Sequence, residues 1–172
     1  MASPQTILGI DPGTRYMGMA VIRGPKLLAY GVHQLRNGRE PHDLIGQAKD
    51  VLLRYVRDFG PGIVAIERPL LLPTKVASLL STIGQELHAR AKALGCSVLE
   101  MDARQVRSVL LHNPAATKLQ IARLLAEFYP ELAPKLPTRP ARSAVGWRAR
   151  DRYWLHAFDA LAVAQAASGQ RG

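Results

Sequence analysis

Four residues in this chain have the types and placement to do chemistry together: Asp11, Glu67, His156 and Asp159. Asp11 closes the short apolar run Thr6–Ile10, and Glu67 closes a second one, Gly62–Ile66. His156 and Asp159 stand three apart in HAFDALAVA, a spacing that puts both on one face of a helix. Three hard oxygen donors and an imidazole at one edge of a sheet suit one or two Mg²⁺ or Mn²⁺ ions. Two such ions ~3.5–4 Å apart activate water and stabilise the leaving oxygen of a phosphodiester. Metal-dependent cleavage of nucleic acid is the chemistry this set implies.

Each residue has a plainer reading when taken alone. Asp11-Pro12-Gly13 is ordinary turn chemistry, a lone histidine is more often structural than a ligand, and a helical aspartate can simply face water. The combination argues otherwise. Two buried-strand patterns each finish in an acid, and Asp159 interrupts an apolar helix, where a carboxylate is costly unless paired or metal-bound.

The elements that must position these residues follow from periodicity. Thr6–Ile10, Gly18–Ile22 and Leu27–Leu35 read as three strands, with a turn at Asn37–Gly38. Apolar residues recur at helical spacing over His42–Phe59, which Gly60-Pro61 stops, and the fourth strand is Gly62–Ile66. A long amphipathic helix over Thr74–Leu94 precedes the fifth strand, Ser97–Glu100. Asp102 caps a short helix through Leu111, Thr117 starts another over Lys118–Phe128, and Tyr153–Ala167 is the last. The order predicts one α/β domain, residues 1–172, with a five-stranded mixed sheet flanked by helices. An antiparallel meander is extended by two parallel strands. Residues 129–152, rich in Pro and Arg with Trp147 among them, are expected to be a basic loop or arm able to meet DNA by charge and stacking.

Composition narrows the partner. Lys and Arg number 23 against 13 Asp and Glu, and a net charge of +10 points to a polyanion, nucleic acid foremost. No apolar run is long enough to cross a membrane and no secretory signal pattern opens the chain, so a cytoplasmic location is expected. The lone Cys96 sits in an apolar stretch and reads as a buried small hydrophobe. A phosphate-binding P-loop, a zinc-binding Cys/His set and a serine nucleophile elbow are all absent from the sequence.

The chain resembles the RuvC family of Holliday-junction resolvases, members of the RNase H-like nucleases. The match lies in ILGIDPGTRYMGMAVI (7–22), IVAIE (63–67), DARQVR (102–107), ATKLQIARLL (116–125) and HAFDALAVA (156–164), in the family's order. The resemblance implies an RNase H-like fold and an endodeoxyribonuclease that nicks four-way junctions symmetrically during recombination and repair. It implies metal binding by Asp11, Glu67, His156 and Asp159, with His156 serving as ligand or proton-transfer group. It also implies a basic Lys118 near the scissile phosphate and a basic residue at Arg107. Arg104, Arg148 and Arg150 join these two as expected DNA contacts. A homodimer is implied, with the helix 74–94 as its face, and a branch-migration motor is left open as a partner.

Three departures stand out. His112-Asn113-Pro114 replaces a Gly-rich turn ahead of Lys118, Leu70 stands where a junction-probing phenylalanine can occur, and 129–152 is longer than its counterpart. Alternatives share the same acids: an RNase H-like nuclease of other DNA structures or of ribosomal-RNA precursors, or a junction-binding module that does not cut. Asp11-Pro12-Gly13-Thr14 also fits the opening turn of sugar-kinase and actin-like folds, but those need two domains around ATP, and 172 residues are too few.

Overall fold

The computed structural model describes residues 4–36, 40–69, 73–137 and 148–169. In chain order the elements are β1 (Thr6–Asp11), β2 (Tyr16–Arg23), β3 (Lys26–Gln34), α1 (Pro41–Phe59), β4 (Ile63–Arg68), α2 (Lys75–Ala93), β5 (Ser97–Asp102), α3 (Ala103–Leu111), α4 (Lys118–Phe128), a short 3-10 helix (Pro130–Lys135) and α5 (Ala149–Gly169). The sheet runs β3-β2-β1-β4-β5. The first three strands form an antiparallel meander, and β4 and β5 add in parallel through helical crossovers, as the element order predicts.

Side-chain alternation divides the core in two. Leu8, Ile10, Met19, Val21, Val64 and Ile66 face α1 and α2. Ile7, Ala20, Ile22, Ile63, Ala65 and Met101 face α3, α4 and α5 on the opposite side. Helices therefore cover both faces of the sheet, which buries Thr6–Ile10 of β1 and Ile63–Ile66 of β4 and explains their unbroken apolar runs.

α5 is the helix that matters for the site. Its Leu155, Ala157, Phe158, Ala160, Leu161, Ala162, Val163, Ala164, Ala166 and Ala167 are all buried. The helix is thus apolar around most of its girth, as a central core helix must be. It lies unusually close to the sheet at two glycines. A Cβ on Gly9 would sit 2.0 Å from the Ala160 carbonyl oxygen, and one on Gly18 would sit 1.9 Å from that of His156. Strand glycines are needed here because helix backbone occupies the space a side chain would take.

Two expectations are corrected. β4 does not end at Ile66: its ladder with β5 continues through Glu67–Met101 and Arg68–Asp102, so Glu67 is a strand residue held by pairing. Within 129–152 the described ends are helical rather than loop, and residues 138–147 lie outside the described residues. Pro130–Lys135 is helical because Leu132 is packed into the core, and α5 begins at Ala149 with Asp151 buried in its first turn. Arg139, Arg142 and Trp147, the turn at Asn37–Gly38 and the departure at Leu70 lie outside the described residues.

Gly18→Ala and Gly9→Ala are each expected to lower the unfolding free energy by about 1–3 kcal/mol or more, because a packed backbone must move. Gly46→Ala, where a Cβ on α1 would meet open space, is expected to be neutral or stabilising. Thermal unfolding of the three variants checks the contrast.

Candidate active site

Strand register places the first two acids. Ile10 pairs with Ile66 across the parallel β1–β4 ladder, and each is followed at once by a carboxylate. Ile10 and Ile66 face α1 and α2, so Asp11 and Glu67 both turn toward α5. A one-residue slip in either strand would send its acid to the other face. α5 supplies the third acid, Asp159, which is 8% exposed. Carboxylate oxygens of Asp11, Glu67 and Asp159 lie within 4.8 Å of one another.

Gly18, opposite Asp11 in the β1–β2 register, is where the α5 backbone touches the sheet. That contact brings the His156 ring to Asp11, with Nδ1 2.6 Å from Oδ2. His156 therefore enters the site through its bond to Asp11, while the three carboxylates form the oxygen set that converges on one point.

Lys118 completes the centre. Thr117 caps α4: its hydroxyl accepts from the Gln120 backbone N–H at 3.2 Å, and the Gln120 side chain accepts from the Thr117 N–H at 2.7 Å. This reciprocal cap fixes Lys118 in the first turn, and its ammonium donates to Asp159 Oδ2. The turn before it needs no glycine. His112 itself takes the left-handed conformation that ends α3 (φ 52°), and Asn113 Oδ1 accepts from the Ala115 N–H at 2.9 Å.

Crowding carboxylates in a shielded place disfavours their charge. Burial, then the neighbouring Asp159 and Asp11, push the Glu67 carboxyl up to about 9, against the opposing pull of Lys118 and Arg107. Burial also raises Asp159, with Lys118 opposing. For Lys118 burial works against the charge, but Asp159, Asp11 and Glu67 together outweigh it and raise its pKa. Three acids opposed by Lys118 and Arg107 form a set that fits a divalent cation: hard oxygen donors whose mutual repulsion a metal relieves.

Arg107 lines a small cleft with Glu67, Lys118 and Asp159, so two of the expected DNA contacts belong to the centre. Arg104 and Arg148 are exposed outside it, and the Arg150 guanidinium donates to the Pro134 carbonyl. Sequence reasoning missed two neighbours. Tyr16 places its ring centroid 5.9 Å from that of His156. Arg68, bonded to Gln105 Oε1 at 3.3 Å, lines a groove of about 380 Å³ with Glu67, Gln85, Glu100 and Asp102. Arg68 follows Glu67 directly in sequence, and that adjacency was the available signal. For Tyr16 there was none, since its neighbour His156 lies 140 positions away.

An acid on each of two adjacent parallel strands, a third on the packing helix and a lysine beside them, on this strand order, agree with the RNase H-like nuclease class that the sequence resemblance implies. Residues 7–139 match the family described as Crossover junction endodeoxyribonuclease RuvC, and the chain belongs to that family. It is 31% identical to the RuvC of Tolumonas auensis over 163 residues, covering 92% of this chain and 83% of the relative. It is 33% identical to that of Maricaulis maris over 140 residues, covering 76% and 81%. Among solved structures, T. thermophilus RuvC in complex with Holliday junction substrate superposes with a TM-score of 0.75 at 20% identity, over 96% of this chain and 94% of that one. The yeast mitochondrial Holliday junction resolvase Ydc2 gives 0.62 at 14% identity, over 98% and 80%. These likenesses show the shared fold.

Because folding raises the Glu67 pKa, metal-free protein gains stability from its protonation. That contribution is full below the ordinary carboxylate value and is lost as pH climbs toward about 9. Lys118, with its pKa raised, stays charged throughout this window. In chelator, the melting temperature should therefore fall between pH 6 and 9 for the wild type and more shallowly for Glu67→Gln. Added Mg²⁺ or Mn²⁺ should raise the wild-type value at pH 8 by more than that of the variant. Parallel curves for the two proteins would contradict this electrostatic account.

Proposed function

We propose that this chain resolves four-way DNA junctions by hydrolysing phosphodiester bonds with Mg²⁺ or Mn²⁺ held at Asp11, Glu67 and Asp159. The observation that carries the reading is the convergence of these three carboxylates beside Lys118, in a chain of the RuvC family. A bound divalent ion supplies charge that polarises the phosphate and lowers the pKa of the attacking water. The protein's own groups do the rest. His156 orients Asp11 through its Nδ1 contact, and its imidazole is in place to relay a proton. Lys118 offsets negative charge developing on the phosphate, and Arg107 grips the backbone at the rim of the same cleft. The surplus of ten positive charges draws a duplex substrate without reading its sequence.

Residues 1–172 act as one nuclease domain in this reading, in the cytoplasm. Symmetric nicking calls for two sites, so a homodimer is part of the proposal, with α2 as its face. In support, Val76 on that helix is 63% exposed and Gly84 meets open space, which permits close approach of a second helix. Nucleases of other DNA structures or of ribosomal-RNA precursors would use the same acids, and substrate preference separates them from a resolvase.

Purified protein with Mg²⁺ or Mn²⁺ should nick a synthetic four-way junction at symmetric positions, in preference to linear duplex and to structured RNA. Equal cutting of duplex would sink the resolvase reading. Asp11→Asn and Asp159→Asn should reduce cleavage to background while junction binding persists. His156→Ala should cost roughly 10- to 100-fold in rate, as expected for a group that orients a ligand.

A further inference from the structure

Beyond the acids, a chain of ring contacts leads along the N-terminal end of α5. Arg15 Cζ lies 5.4 Å from the Tyr16 ring centroid. Tyr16 meets Tyr153 edge-on at 5.5 Å, and Tyr153 meets Trp154 edge-on at 5.2 Å. Lys135 Nζ caps the Trp154 ring at 4.2 Å. The ridge therefore starts beside His156, through Tyr16, and ends at a second cation.

Its parts are pinned to the fold. Tyr153 Oη donates to the Val32 carbonyl on β3 at 2.9 Å, Tyr30 on the same strand packs 6.1 Å from Trp154, and Arg150 ties the 3-10 helix to α5 through Pro134. A staple for the helix end would account for the rings. It does not account for a cation at each end of the row. Among the described residues neither Arg15 nor Lys135 pairs with a carboxylate. An aromatic face holds a cation in position without neutralising it, so both heads keep their charge for an anion. Arg148 and Arg152 are exposed at the same end of α5.

We propose that this ridge is a docking track for the phosphate backbone of a DNA strand leading away from the catalytic acids, gripped at Arg15 and Lys135. The rings serve as positioning residues that hold the two cations along the strand's path. This deepens the nuclease reading and rests on it.

The test is binding of a labelled four-way junction to Asp11→Asn protein across a salt series. Lys135→Gln and Arg15→Gln should each weaken binding and flatten the dependence of log affinity on log salt by about one phosphate contact. Trp154→Leu should reproduce the Lys135→Gln slope, the double variant should go no further, and Trp154→Phe should restore it. A purely structural staple would lower the melting temperature in Trp154→Leu and leave the slope alone. An unchanged slope in Lys135→Gln and Arg15→Gln overturns the track while the nuclease reading stands. If Asp11→Asn protein fails to bind the junction at all, both fall.

Discussion

The site depends on the direct contact of α5 with the sheet at Gly9 and Gly18. Helices normally pack on sheets through side chains, which leaves a layer of atoms between the two backbones. Here two strand residues lack a Cβ, and the carbonyls of Ala160 and His156 fill the space. That closeness lets the short side chain of Asp159 reach acids on β1 and β4, and lets His156 bond to Asp11. The alanines of α5 serve the same end, because larger residues would lift the helix away.

What proximity assembles, electrostatics makes unstable without cations. Three carboxylates share one small region, and burial and mutual repulsion push Glu67 and Asp159 toward their neutral forms. Lys118 is the fold's internal counter-charge, delivered by a capped helix end. Even with Lys118 and Arg107 beside them, the carboxylates stay pushed toward their neutral forms, which leaves the centre with an appetite for further positive charge. Strain of this kind, kept in place by a well-packed scaffold, is common where a site must bind a metal tightly enough to work.

Much of this was legible in the sequence because the relevant patterns are local. Apolar runs that end in acids, at Ile10-Asp11 and Ile66-Glu67, report strands and their polar ends together. Asp159 stood out as the one carboxylate in the apolar stretch HAFDALAVA, and the ordered motifs carried the family resemblance. Other features depend on partners far along the chain. Nothing local says that Gly18 must meet the backbone of His156, or that Tyr16 lies beside its ring. Within the basic stretch 129–152, the prolines of Pro130–Lys135 suggest a loop, yet the segment is a 3-10 helix. Around Pro130–Lys135 the order comes from the burial of Leu132 and from Tyr129 donating to Gln165 Oε1 at 2.8 Å. Likewise His112 ends α3 in a conformation usually left to glycine, which composition alone would not suggest.

The central claim is that α5 closes on the sheet to make one metal site from acids on three elements. Anomalous scattering from crystals soaked in Mn²⁺ tests it most directly. The account predicts manganese density among Asp11, Glu67 and Asp159, with the Lys118 ammonium drawn off Asp159. Crystals in which Mn²⁺ binds elsewhere, and the Lys118–Asp159 pair stays intact at saturating metal, would contradict it.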